Sequence, residues 1–231
     1  MSSKAPFSMT AKAVLIFAFA LLGFSRLTQA QATGSFSLIT PNFDVSLLQS
    51  VSFQYSLAQG PNANTFYFTI ANTSNNSQSS WVSGTQPTIT NIYFEDSLDL
   101  LSSPSIISWT TVGPDNAVSY SVAGGGGNLP AGQNAGFDSD YLFQSNPPPS
   151  KNGLDTGESL TVAFQSLEGY SGLLGAINNG DLRIGIHVQE IGTQGASASF
   201  VNVQAVPEPG GALLLGAVGV ILLVRRRRQL P

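Results

Sequence analysis

The stretch Val51-Ser52-Phe53-Gln54-Tyr55-Ser56-Leu57 (VSFQYSL) alternates without a break. Val51, Phe53, Tyr55 and Leu57 point one way, and Ser52, Gln54 and Ser56 the other. Successive side chains of a strand face opposite sides of a sheet. A period of two therefore predicts a strand with one buried face and one wet face. The pattern recurs. TFYFTI sets Phe66, Phe68 and Ile70 against Thr65, Tyr67 and Thr69. ESLTVAF offers Leu160, Val162 and Phe164, and DLRIGIHVQ offers Leu182, Ile184, Ile186 and Val188. AVSYSV offers Val118, Tyr120 and Val122, and FSLIT, TITNIYF, SIISWTT and SFVNVQA read as further strands. Roughly nine strands with turn residues between them predict an all-β fold, a single antiparallel β-sandwich or jelly-roll-like domain.

Two segments interrupt the pattern. AGGGGNLPAGQNAG (Ala123–Gly136) and SNPPPSKNGLDTGE (Ser145–Glu158) are too rich in Gly and Pro for regular strand. Strand patterns continue on both sides, so they read as surface loops of one domain. In YSGLLGAIN, Leu173, Leu174 and Ile177 share a face at helical spacing, which predicts a turn or two of helix.

Charge narrows the partners. Of 231 residues only 10% are charged, and none is cysteine. Disulfides, thiolate metal sites and cysteine nucleophiles are therefore excluded. Seven of the nine basic residues lie at the two ends. Between Thr33 and Val206 only Lys151 and Arg183 are basic against twelve Asp and Glu, a net charge of −10. A field of that sign repels phosphate backbones, so nucleic acid is not an expected partner.

The ends read as addresses. Lys4 and Lys12 precede the apolar run AVLIFAFALLGF (Ala13–Phe24), and SRLTQAQATG follows. A basic segment, a short apolar core and a small-residue A-x-A site make a secretory signal peptide over residues 1–32, a substrate for signal peptidase. Ala30-Gln31-Ala32 places the cut after Ala32, with a cut after Ala30 as the alternative. The domain then spans 33–205. The last segment, 206–231, contains Pro207-Glu208-Pro209, a span over 210–224 and the cluster Arg225, Arg226, Arg227 and Arg228. Its charge-free run Gly211–Val224 would cover roughly 21 Å as a helix, against a bilayer core of about 30 Å. Two features nonetheless predict a single membrane helix. The run is apolar all round, and it stops at arginines that favour the cytoplasmic side and can reach the headgroups. The two prolines flanking Glu208 keep that backbone extended, as a protease cleft requires.

Pro-Glu-Pro, an apolar span and a terminal arginine cluster, in that order at the extreme C-terminus, resemble the PEP-CTERM sorting domain. The resemblance covers about the last 26 residues. It implies an exported bacterial protein, usually Gram-negative, tethered through its C-terminal helix. An exosortase, an integral-membrane cysteine protease or transpeptidase, would then process it at or near Pro207-Glu208-Pro209. It further implies placement at the cell surface, in exopolysaccharide or biofilm material. GESLTVAF and GDLRIGIHVQEIGTQGASASFVN resemble exported domains of such proteins that have no assigned activity.

The candidate chemistry is sparse. His187, the single histidine, falls with Arg183 and Gln189 on the face opposite the Leu182–Val188 set and reads as an exposed strand residue. No G-x-S-x-G elbow accompanies it. Carboxylates cluster in FEDSLD (Glu95, Asp96, Asp99), GFDSDY (Asp138, Asp140) and GLDTGE (Asp155, Glu158). Hard oxygen ligands suit Ca2+, which makes Asp138, Asp140, Asp155 and Glu158 the metal candidates, although none matches an EF-hand loop. Trp81 and Trp109 are sugar-stacking candidates, but rings in a small sandwich more often belong to the core. These readings converge on a surface-directed, non-enzymatic component or binder of extracellular polysaccharide, with no required cofactor. The alternatives are a calcium-stabilised adhesive or carbohydrate-binding module and a surface carbohydrate hydrolase. The last needs two carboxylates about 5–10 Å apart.

Overall fold

The computed structural model describes residues 31–75, 86–112, 117–192, 194–203 and 206–207. Eleven strands are present among them: β1 (Gln31–Leu38), β2 (Phe53–Gln59), β3 (Thr65–Asn72), β4 (Thr88–Asp96), β5 (Ser102–Thr110), β6 (Tyr120–Val122), β7 (Tyr141–Ser145), β8 (Ser159–Gln165), β9 (Leu182–Ile191), β10 (Ala196–Asn202) and β11 (Val206–Pro207). Two helices accompany them, α1 (Pro149–Asn152) and α2 (Gly169–Asn179). All strand pairs are antiparallel, in the order β5-β8-β3-β2-β1-β10-β9-β4-β7-β6, with β11 added to β1. The ten-strand sheet is nearly closed into a barrel, and β5 approaches β6 at the seam without a shared ladder.

β1 is the hinge of this arrangement. Gln31–Ser35 pair with β2, while Phe36–Leu38 turn to β10. On the β10 side, Ala32 and Thr33 also pair with Pro207 and Val206. The ladders thus include residues 31–32 and 206–207, just outside the span 33–205 expected for the domain.

Most of the alternating sets go where the pattern sends them; Val51, ahead of β2, is only half-buried, and Thr65, expected on the wet side, is buried at the start of β3. Phe53, Tyr55, Leu57, Phe66, Phe68, Ile70, Leu160, Val162, Phe164, Leu182, Ile184, Ile186 and Val188 are all buried. Phe68 and Phe164 meet Phe94 and Phe143 from the facing strands in an edge-to-face cluster, with ring centroids 4.9–5.9 Å apart. Each such buried ring contributes on the order of 2–3 kcal/mol through the area removed from water. α2 runs for 11 residues and lays Leu173 and Ile177 into the same core, with Leu174 half-buried beside them. The sequence anticipated this face but not the length. Gly180, at φ +84°, ends the helix in the left-handed conformation.

TITNIYF is the strand expected, and it is buried almost throughout because residues on both faces of β4 are covered. β6 is shorter than AVSYSV, three residues long; Val118 is buried ahead of it, but Val122 is exposed where the seam leaves it uncovered. β7 is a strand that alternation does not reveal, because the consecutive residues Leu142 and Phe143 are both buried. The glycine-rich segment is a surface loop, as expected, and it is also anchored. It folds back over the outer side of the sheet, where Leu129 and Phe137 join Tyr93, Leu142 and Val201 in a second apolar cluster.

Two glycines permit that packing. A Cβ on Gly126 would fall 1.5 Å from the Ser139 carbonyl oxygen. A Cβ on Gly185 would fall 2.7 Å from Leu129 Cδ2. Arg183 then fastens the loop. Its guanidinium donates to the Ala135 carbonyl at 2.8 Å and to the Gly136 carbonyl, pairs with Glu95, and lies 5.3 Å from the Phe137 ring centroid. Among the described residues no helix is long and apolar enough to cross a membrane.

Candidate functional site

Two connections at one end of the sheet enclose a cleft of about 510 Å3. The β4–β5 connection supplies Leu98–Ser102, the β8–α2 connection supplies Gln165–Glu168, and the β2–β3 turn adds Asn64. The two connections carry the same pattern of serine, leucine and an acid, Ser97-Leu98-Asp99 and Ser166-Leu167-Glu168. Each presents an exposed leucine beside an exposed carboxylate. Leu98 is 56% exposed and Leu167 is 88% exposed. The carboxamides of Asn64 and Gln165 complete the polar lining, and no basic residue is part of it.

The walls are held from behind. Asp96 is buried; its carboxylate accepts from the Leu101 amide at 2.6 Å. The Tyr141 hydroxyl donates to the Leu101 carbonyl at 2.6 Å. Burial pushes that hydroxyl's pKa up, and the charges of Asp96, Asp140 and Asp99 push the same way, so it stays a donor. Asp99 itself sits at φ +55°, its amide bonded to the Asp96 carbonyl at 3.1 Å. Across the cleft the Ser166 amide bonds to the Asn64 carbonyl at 2.9 Å, and the Ser102 hydroxyl reaches the Gln165 carbonyl at 3.3 Å. A lining of carboxylates, carboxamides and apolar edges accepts hydrogen bonds from hydroxyl-rich, uncharged molecules and repels anions.

The acidic motif GLDTGE builds something different. Glu158 is 1% exposed, and its two oxygens accept the Val112 amide at 3.0 Å and the Asp155 amide at 2.8 Å. Asp155 accepts from the Thr88 hydroxyl. Burial raises the Asp155 carboxyl to about 6, with the charges of Glu158 and Glu190 adding to the rise and the Thr88 bond opposing it. A carboxyl with that titration suits acid catalysis. It is not among the residues lining the cleft, and its neighbour is committed to backbone amides.

The other candidates scatter. Asp138 and Asp140 are exposed, and Asp140 accepts the Asp96 amide at 2.7 Å. Among the described residues no three of His, Cys, Asp and Glu come together as metal donors, so the four calcium candidates do not form one group. His187 is half-buried rather than exposed. Its Nδ1 lies 3.1 Å from the Ser199 hydroxyl, and burial lowers its pKa, favouring the neutral ring. Trp109 is 54% exposed, against its assignment to the core, because β5 is an edge strand whose register shifts at two bulges. Trp81, Ala30, Glu208, Pro209 and Arg225–Arg228 lie outside the described residues. Ala32 is buried in β1, and Pro207 belongs to β11. Of the cleft's polar residues, only Asp99 belongs to an acidic cluster visible in the sequence, FEDSLD. The repeated Ser-Leu-acid text was the available signal for Glu168.

Compared with family models, with curated proteins and with solved structures, the chain matches none.

Proposed function

We propose that this chain is an exported bacterial surface protein whose β domain is a non-enzymatic component or binder of the extracellular polysaccharide matrix. One observation carries the reading. Pro207-Glu208-Pro209, the uncharged run over 210–224 and Arg225–Arg228 stand in sorting-signal order in a chain that also opens with a basic, apolar and small-residue leader. Signal peptidase removes the leader. The C-terminal span then tethers the translocated domain, with the arginines inside, until an exosortase-type protease or transpeptidase cuts near the Pro-Glu-Pro motif. We take the nearly closed sheet to be a jelly-roll-like sandwich.

The cleft supports the matrix role. Its carboxylates and carboxamides suit the hydroxyls of a neutral polysaccharide, and its leucines suit the apolar faces of sugar rings. The decisive experiment is mass spectrometry of the surface-located protein. The expected product ends near Pro207-Glu208-Pro209, and recovery of an intact Arg225–Arg228 tail refutes the sorting reading. Pull-down with exopolysaccharide extracted from the producing cells tests the matrix role; no retention refutes it.

A further inference from the structure

We propose that the outer face of β5, β8, β3, β2 and the first half of β1 is a second contact surface for the matrix, one that takes an extended, uncharged polysaccharide chain laid across the strands. The inference rests on the matrix reading above and adds to it a site beside the cleft.

These five strands contain no charged residue. The twelve Asp and Glu between Thr33 and Val206 all lie elsewhere. The inner residues of the strands, Tyr55, Phe68 and Val162 among them, fill the core. The outer residues fall into register. Ser108, Thr161, Thr69, Ser56 and Thr33 stand opposite one another across β5, β8, β3, β2 and β1, and none of the five is buried. Residues opposite on neighbouring strands share a face. At about 4.8 Å per strand, five hydroxyls therefore make a row about 19 Å long. Part of the row is already ordered. The Thr69 and Thr161 hydroxyls lie 2.8 Å apart, and beside them Thr110 and Ser159 pair at 2.9 Å. A hydroxyl has one donor and two acceptor positions, so each member keeps capacity for a ligand. Two residues from Thr69 on the same face, Tyr67 is half-buried between Ala58 and Ala163 of the flanking strands. Alanine on both sides places no long side chain beside the ring. β8 joins this face to the cleft: Ser159, Thr161 and Ala163 share its outer side with Gln165, which lines the cleft.

Charge and size select the occupant. A row of hydroxyls exchanges hydrogen bonds with sugar hydroxyls, and an aromatic ring stacks on the apolar face of a sugar. With no cation on the face, a polyanion gains nothing there and meets the field of the acids elsewhere on the domain. A second copy of the chain fits worse. The face measures roughly 24 by 17 Å, or about 400 Å2. That is half of the about 800 Å2 that each partner gives to a standard stable interface. A slender polysaccharide needs only the row and the ring.

The test is retention of the full-length protein, recovered after export, on exopolysaccharide extracted from the producing cells and separated by anion exchange into neutral and acidic fractions. Retention of the wild type by the neutral fraction is expected. Tyr67→Ala with Thr69→Ala should weaken it about tenfold, the loss of one stacked ring and one hydroxyl bond. Ser108→Lys, at an exposed position of an edge strand, sets a charge in the row without touching the core and should weaken it likewise. Unchanged retention in either variant, folded as the wild type by circular dichroism, overturns the inference and leaves the matrix role to the cleft. Retention by the acidic fraction alone also overturns it and leaves the matrix role standing. No retention by either fraction overturns both. A monomer–dimer equilibrium abolished by Ser108→Lys assigns the face to a second copy and overturns the inference.

Discussion

The protein holds two pairs of carboxylates with opposite habits. Asp155 and Glu158 sit inside a loop, engaged by the backbone amides of Val112 and Asp155 and by the Thr88 hydroxyl. Asp99 and Glu168 stand exposed on facing connections beside exposed leucines. The first pair fastens the chain to itself. The second presents acceptors to whatever enters the cleft. In sequence they look alike, two acidic residues among Gly, Ser and Leu. What separates them is that donors from within the turn, from Thr88 and from the residues after β5 converge on the first pair.

The sharpest way to break the comparison is Glu158→Ala. It strips acceptors from two backbone amides, so a loss of about 2–4 kcal/mol is expected in denaturant unfolding. A loss under about 0.5 kcal/mol would put this pair in the same class as the cleft pair. Next, Arg183→Ala frees the Gly132–Gly136 turn and leaves the buried Glu95 without its cation, at a cost of about 2 kcal/mol. Faster amide exchange confined to residues around 129–137 would locate the effect there.

Asp155 offers a smaller, pH-dependent test. Burial raises its pKa to about 6, above the value of about 3.9 for an unfolded chain. The native state therefore holds this proton more tightly. The resulting stabilisation is complete below about pH 4 and is lost as pH rises through about 6. Asp155→Asn has no such loss. The gap between wild type and variant should widen by on the order of 1 kcal/mol across that window, after allowance for partial exposure. Parallel stability curves from pH 4 to 7 would remove the assignment. The smallest stability effect belongs to the cleft. Asp99→Ala with Glu168→Ala should leave unfolding within about 0.5 kcal/mol of wild type. Retention on extracted polysaccharide should nevertheless fall severalfold, and unchanged retention would take the cleft out of the matrix role.

Much of the fold was legible because a half-covered strand announces itself. VSFQYSL and DLRIGIHVQ alternate because one side of each meets the core and the other meets polar surroundings. Legibility ended where both sides were covered. β7 hides Phe143 in the main core and Leu142 beneath the glycine-rich loop, so its pattern has no period. It ended again at the seam, where bulges in β5 turn Trp109 outward. The cleft was less readable still. Its two walls stand far apart in the chain, and the pairing of β5 with β8, Ser102 opposite Gln165, brings them together.

The divided loyalty of β1 has a kinetic meaning. Its first half pairs with the adjacent β2, but its second half must wait for β10, near the other end of the domain. Contacts of such long range form late, because chain entropy is lost before they return any stability. The sheet therefore cannot close until nearly the whole sequence is available.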